Sequence, residues 1–263
     1  MEKFKYTQGS IPLLISVPHS GVHIPSDIAA RMTPQALTTP DTDWHVDKLY
    51  DFAEGLGAHI LVATHSRFVV DLNRPATDEN LYPGQNTTGL CPVDTFDEEP
   101  IYKSDDDQPD AEETARRVEA YWRPYHDKLA ETLATIKAQF GYALLWDAHS
   151  IRSEVPRFFE GRLPDLNLGT ANGKSCAPAL AQSLLEIAEQ ADGFTAALNG
   201  RFKGGYITRA YGKPDDNIHA VQLEQSQITY MDEEPPFGYR PDLADQVKPV
   251  LQQLIEATAA FKP

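Results

Sequence analysis

Cysteine is scarce in this chain of 263 residues: it has two, Cys91 and Cys176, far apart and without metal-ligand spacing. That excludes a disulfide framework and a cysteine-built zinc site, and both read as free thiols of a reducing compartment. Positive charge is short as well. Lys and Arg number 23 against 39 Asp and Glu, a formal net charge of −16. A field of that sign excludes non-specific binding to nucleic acid or to an anionic membrane. An anionic ligand would have to be drawn in by local arginines against it. No apolar run approaches the roughly 20 residues of a membrane span. The first residues, Met1-Glu-Lys-Phe-Lys-Tyr6, lack a basic stretch followed by an apolar leader core. The expectation is a cytoplasmic protein. There is no internal repeat, and no phosphate-binding glycine motif of the known spacings.

What the chain does have is enough apolar residues, 41%, for one substantial core, so a single domain over residues 1–263 is expected. The run Ile11-Pro-Leu-Leu-Ile-Ser-Val17 predicts a strand. Residues 45–54 predict a helix with Val46, Leu49, Tyr50 and Ala53 on one face, ended by Gly55 and Gly57. Strands follow at 58–63 and 68–72. Residues 76–110, rich in Pro, Gly, Asp and Thr, predict an extended surface excursion, with Asp105-Asp-Asp107 a solvated turn. A long amphipathic helix over 111–140, kinked at Pro124, leads to a strand over 142–146. A loop over 163–176, a helix over 178–191, a strand-like stretch at 195–198, a Gly-rich turn and the segment 206–208 come next. A strand over 219–224 and a helix over 240–261 close the chain. Alternation of this kind predicts an α/β fold with a mostly parallel or mixed sheet.

Two of these strands end on a histidine. Trp146-Asp-Ala-His149 closes one apolar run, and Pro18-His19-Ser20-Gly21 follows another. Open α/β sheets bind ligands beyond the carboxyl ends of their strands. A histidine there serves as metal ligand or general base; a surface turn histidine is the plainer alternative. Asp147, two residues before His149, shares its face of the strand, as a supporting acid, a ligand or a structural cap. A catalytic zinc takes three protein ligands and keeps an open position. The cluster Asp41, Asp43, His45 and Asp47 offers the third. Asp43 is the choice and Asp47 the fallback, although Asp is also a favoured helix cap. Glu224, at the end of the strand over 219–224, suits a general base, or is an ordinary edge carboxylate.

Arginines supply what the net charge withholds. Arg67 and Arg74, with Asn73 beside the latter, flank residues 68–72 and make a carboxylate clamp. A second cationic stretch carries Arg201, Lys203 and Arg209 among glycines that allow close backbone approach to a ligand.

Taken together, five stretches resemble the N-formylglutamate amidohydrolase family. They are Ser16-Val-Pro-His-Ser-Gly21, Ser66-Arg-Phe-Val-Val-Asp-Leu-Asn-Arg-Pro75, Trp146-Asp-Ala-His-Ser150, Asn199-Gly-Arg-Phe-Lys-Gly-Gly-Tyr-Ile-Thr-Arg209, and Gln222-Leu-Glu224 with Tyr230-Met231. The resemblance spans nearly the whole chain. It implies a three-layer α/β/α domain around a central mixed sheet, similar to zinc carboxypeptidases and to the aspartoacylase group (phosphorylase/hydrolase-like). It also implies a metal-dependent hydrolase of N-formyl-L-glutamate, releasing formate and L-glutamate as the last step of a histidine degradation route. The Asp71-Leu-Asn-Arg74 string resembles the carboxypeptidase stretch whose Asn-Arg pair binds a substrate carboxylate and helps polarise its carbonyl. One departure stands out. Carboxypeptidases take two ligands from His-x-x-Glu, and the position three after His19 is Val22. Asp43 is the substitute and His23 the competitor.

The expected site is therefore Zn²⁺ or another divalent ion on His19, Asp43 and His149, with Glu224 as base and Arg74 beside the reacting carbonyl. Arg67, Asn73, Arg74, Arg201, Lys203 and Arg209 bind the substrate's carboxylates. Two other readings are a related amidohydrolase or carboxypeptidase for another N-acyl amino acid, and a metal-free binding protein for an acidic metabolite.

Overall fold

In the computed structural model, which describes residues 1–263 apart from 82, 83 and 85, the apolar runs line up as one mixed sheet. Among the described residues its strands are β1 (Phe4–Thr7), β2 (Leu13–Val17), β3 (His59–Ala63), β4 (Ala143–Ile151), β5 (Leu166–Gly169), β6 (Ala196–Leu198) and β7 (Ile218–Ser226). Their order is β1-β3-β2-β4-β7-β5-β6. The centre, β3-β2-β4-β7, is parallel, while β1 and β5 run antiparallel to their inner neighbours. Every residue of β2 and β4 is buried. A strand covered on both faces has no polar side to show, so it reads as a continuous apolar run.

Helices cover both faces, which makes the three layers: α1 (Ser26–Ala29), α2 (Val46–Leu49), α3 (Phe52–Gly55), α4 (Ala111–Arg117), α5 (Arg123–Phe140), α6 (Pro178–Glu189), α7 (Tyr206–Tyr211) and α8 (Pro241–Ala260). Leu144, Trp146 and Ala148 of β4 pack with residues of α2, α3, α6 and α8. Ala143 and Leu145 face the other way, against Leu129, Leu133 and Ile136 of α5 and Ile207 of α7. Trp146 buries its indole fully, and its N–H finds the Tyr50 hydroxyl at 2.9 Å, the partner a buried indole needs.

Several sequence expectations are corrected. Residues 68–72 are not a strand: a turn over 67–69 is followed by another at Leu72 and Asn73. The run is apolar because it is buried, and periodicity does not separate a buried strand from buried coil. The helix over 45–54 is split into α2 and α3, with His45 in the left-handed region at φ 62°. The loop over 163–176 contains β5, and residues 206–208 open the helix α7. The helix over 111–140 is continuous but carries a π turn, Val118–Trp122, between α4 and α5. The carbonyl four residues before Pro124 belongs to Ala120, inside that wider turn, where the ring would otherwise collide with it.

The excursion over 76–110 is not confined to the surface. Leu90, Phe96, Ile101 and Tyr102 are buried, and Leu90 accepts the Asp71 amide at 2.7 Å. Asp105–Asp107 is a short 3₁₀ turn at the surface. Cys91 and Cys176 are free thiols.

Candidate active site

The parallel strands β2, β4 and β7 end at one place. Register sets Ser16 of β2 beside Asp147, and His149 of β4 beside Glu224 of β7. Side chains alternate along a strand, so Asp147, His149, Gln222 and Glu224 emerge on one face. His19 follows β2, and its carbonyl accepts the Asp43 amide at 3.1 Å. That bond carries Asp43, in the loop before α2, to the tip of the sheet.

His19, Asp43 and His149 are all buried, and one donor atom of each lies within 4.8 Å of the others. The Nδ1 atoms of both rings turn toward Asp43 Oδ2, His149 at 3.0 Å and His19 at 3.8 Å. Each ring's far nitrogen meets a carboxylate: His19 Nε2 is 2.7 Å from Asp71 and His149 Nε2 is 3.0 Å from Asp147. Carboxylates behind ligating histidines fix the ring and raise its basicity. Two imidazoles and one carboxylate with an open side are a donor set for zinc or a similar divalent ion. The residues fit such an ion. Of the alternatives, Asp47 is exposed on α2, and His23 packs edge-on against His65 at 4.9 Å; neither lines the cavity.

Electrostatics sharpen the roles. Burial alone would lower the His149 pKa, but Asp147 and Asp43 overcome it and hold the ring well above its ordinary value. An ion taking up Nδ1 would replace the proton held there. Burial dominates at His19 and lowers it, although Asp71 and Asp43 pull the other way. Asp71 is fully enclosed, and burial disfavours its charge, yet His19 and Arg67 hold it well below the usual carboxylate range. It receives Arg67 at 2.6 Å and the Asn73 amide at 2.8 Å.

Glu224 is the opposite case. Burial pushes its carboxyl up to about 8, against the nearby His149. Gln222 donates to it at 3.1 Å and accepts the Gly205 amide at 2.7 Å. A stability effect follows for the ion-free protein. Between pH 4.5 and about 8 the folded state keeps a proton on Glu224 that the unfolded chain has released. Raising pH across that window therefore favours unfolding. Glu224→Gln removes this dependence, so its melting temperature relative to wild type should climb from pH 5 to 8. Parallel melting curves across the window would contradict the buried, protonated carboxyl.

A cavity opens on these groups. It is lined by His19, Asp43, His149 and Glu224 together with Thr88, Phe96, Phe158 and Phe202. Arg67, Asn73, Arg74 and Arg201 also face it. Arg67 stacks over Phe96 at 4.8 Å, and its buried Nε has no hydrogen-bond partner among the described residues. Arg74 donates to the Thr88 carbonyl at 3.0 Å, and Arg201 to the Phe158 carbonyl at 2.6 Å. Asn73 reaches from His149 Nε2 at 3.0 Å to the Ile207 amide at 2.8 Å. Lys203 and Arg209 do not line the cavity; the Arg209 Nε donates to the Gly204 carbonyl at 2.8 Å.

Sequence reasoning gave no role to Asp71, Gln222 or the excursion's Thr88 and Phe96. Asp71 had a signal in its place four residues after Arg67, and Gln222 in its two-residue offset from Glu224. The excursion had none.

Comparison with known proteins identifies the family. Residues 11–231 match the family described as N-formylglutamate amidohydrolase. The chain is 53% identical over 260 residues to an N-formylglutamate deformylase of Pseudomonas aeruginosa, covering 99% of this chain and 97% of that protein. It is 52% identical over 256 residues to one of Pseudomonas putida, covering 97% and 95%. Among solved structures it is similar to an N-formylglutamate amidohydrolase from Ralstonia eutropha JMP134, with TM-score 0.83, 26% identity and coverage of 98% and 97%. A gene product of Agrobacterium tumefaciens shares the fold, with TM-score 0.72 at 19% identity and coverage of 98% and 96%.

Proposed function

The chain belongs to the N-formylglutamate amidohydrolase family, and from that premise we propose that it hydrolyses N-formyl-L-glutamate to formate and L-glutamate. The observation that carries the reading is the convergence of His19, Asp43 and His149 beside Glu224, in a cavity that arginines also line. On this reading the whole of residues 1–263 serves one catalytic domain, working in the cytoplasm at the end of a histidine degradation route.

His19, Asp43 and His149 hold a divalent ion, zinc by the chemistry of the donors. When bound, such an ion polarises the formyl carbonyl and lowers the pKa of the attacking water toward about 7. Glu224 accepts the water's proton at its carboxylate and returns it to the leaving α-amine. A carboxyl raised by burial is a stronger base than an ordinary one, and a nearby cation favours its ionised form. Arg74 faces the oxygen that gains negative charge, in a site where fixed donors need no reorganisation. Asn73, Arg67 and Arg201 take the two substrate carboxylates. The unpartnered Arg67 Nε supports this, because a buried donor calls for an acceptor. Lys203 and Arg209, which do not line the cavity, need make no direct contact.

Purified protein should release formate from N-formyl-L-glutamate, lose the activity to a chelator and regain it with zinc. Absence of formate release from metal-loaded protein would sink the reading. Faster turnover of another N-acyl amino acid would favour a related amidohydrolase. Tight glutamate binding by a protein that takes up no metal would favour a binding protein.

A further inference from the structure

The turns over residues 67–74 carry Asp71, Asn73 and Arg74, yet no strand holds them. The carbonyls of Phe68, Val69, Leu72 and Arg74 are met instead by side chains of one helix. Arg117, at the end of α4, donates to Val69 O at 3.1 Å and lies 3.5 Å from Phe68 O. Trp122 Nε1 donates to Arg74 O at 2.9 Å, and His126 Nε2 donates to Leu72 O at 2.8 Å. All three side chains are buried. Trp122 stacks on His126 with ring centres 3.7 Å apart, and the Tyr211 hydroxyl meets His126 Nδ1 at 3.0 Å. A ring that donates through Nε2 and accepts through Nδ1 is the neutral tautomer, and burial lowers the His126 pKa to about 4, in keeping with that.

The spacing of the three donors explains the π turn. In an α-helix residues five apart point about 140° away from each other, at 3.6 residues per turn. Arg117 and Trp122 are five apart, yet both reach the same turns. The i→i+5 bonding of the π turn over Val118–Trp122 brings residues at that spacing onto one face. His126 then follows at the ordinary spacing of four.

We propose that this π turn registers Arg117, Trp122 and His126 as a rack of positioning residues that holds Asn73 and Arg74 at the cavity. The inference rests on the reading of Asn73 and Arg74 as substrate contacts. Trp122→Phe keeps an aromatic ring, though a smaller one, and loses the donor. His126→Leu loses both its bonds, while His126→Gln keeps an amide donor at the place of Nε2.

The test measures amide exchange over residues 68–75 by mass spectrometry, together with kcat and KM for N-formyl-L-glutamate. Trp122→Phe and His126→Leu should each speed exchange in that segment and raise KM by about tenfold. That is the size of one lost hydrogen bond whose acceptor stays buried. Exchange outside that segment and α7, which carries Tyr211, should be unchanged, and His126→Gln should restore most of both values. Unchanged exchange over 68–75, or exchange faster evenly along the chain, would overturn the rack. If wild-type protein released no formate, the substrate reading would fail by itself and the exchange pattern would still decide the rack.

Discussion

Glu224→Gln should lower kcat by about 10²–10⁴-fold, the usual contribution of a positioned proton-transfer group, while metal content stays at the wild-type level. Glutamine keeps the size of the side chain and an oxygen to accept the 3.1 Å bond from Gln222. It cannot take a proton from water or return one to an amine. The donors that converge for an ion are those of His19, Asp43 and His149, so the ion should remain. The check is turnover on N-formyl-L-glutamate beside elemental analysis of the same sample. Full turnover would remove Glu224 from the chemistry. Loss of metal along with activity would make it part of the ion's cage instead.

Asp71→Ala should be the most damaging change to stability, by about 3–5 kcal/mol, the range seen when one partner of a buried ion pair is deleted. Asp71 accepts from His19, Arg67 and the Asn73 amide at once. Its removal strands the buried Arg67 guanidinium, leaving it Asp43 at 3.9 Å and the more distant Asp41 as neighbouring carboxylates. It also frees the His19 ring, and loss of such a supporting carboxylate lowers metal affinity by about 10–100-fold. Urea unfolding of the ion-free variant reads the first effect, and competition with a zinc indicator reads the second. A variant within about 1 kcal/mol of wild type, the limit expected for exposed ion pairs, would show that Asp71 is not holding these charges together.

Much of the site was legible in the sequence because strand ends announce themselves. An apolar run that stops at Asp-Ala-His or at Pro-His-Ser-Gly marks where a buried sheet meets the ligand. Choosing Asp43 over Asp47 needed a guess about orientation; in the structure the Asp43 amide bonds to the carbonyl of His19, while Asp47 is exposed on α2. Residues 68–72 misled because their apolar character reports burial, while the Val69 and Leu72 carbonyls and the Asp71 amide bond to groups far along the chain, the side chains of Arg117 and His126 and the carbonyl of Leu90. β5 was hidden because four residues, Leu166–Gly169, are too few to show a period. Lys203 and Arg209 looked like partners of Arg201 because they are close in sequence. Only Arg201 of the three lines the cavity, its Nε anchored on the Phe158 carbonyl.

The excursion over 76–110 gives the enzyme a division of labour. The groups that would break the bond sit on or beside β2, β4 and β7, where any shift disturbs a fully packed core. Thr88 and Phe96, which face the incoming molecule, belong to a stretch held mostly by turns and side-chain contacts. Substitution of side chains in that stretch therefore disturbs the packed core less than substitution at the strand ends. A library confined to the side chains at 86, 87 and 88 would vary the cavity's lining while the backbone contacts of Thr88 with Arg74 and of Leu90 with Asp71 stay in place.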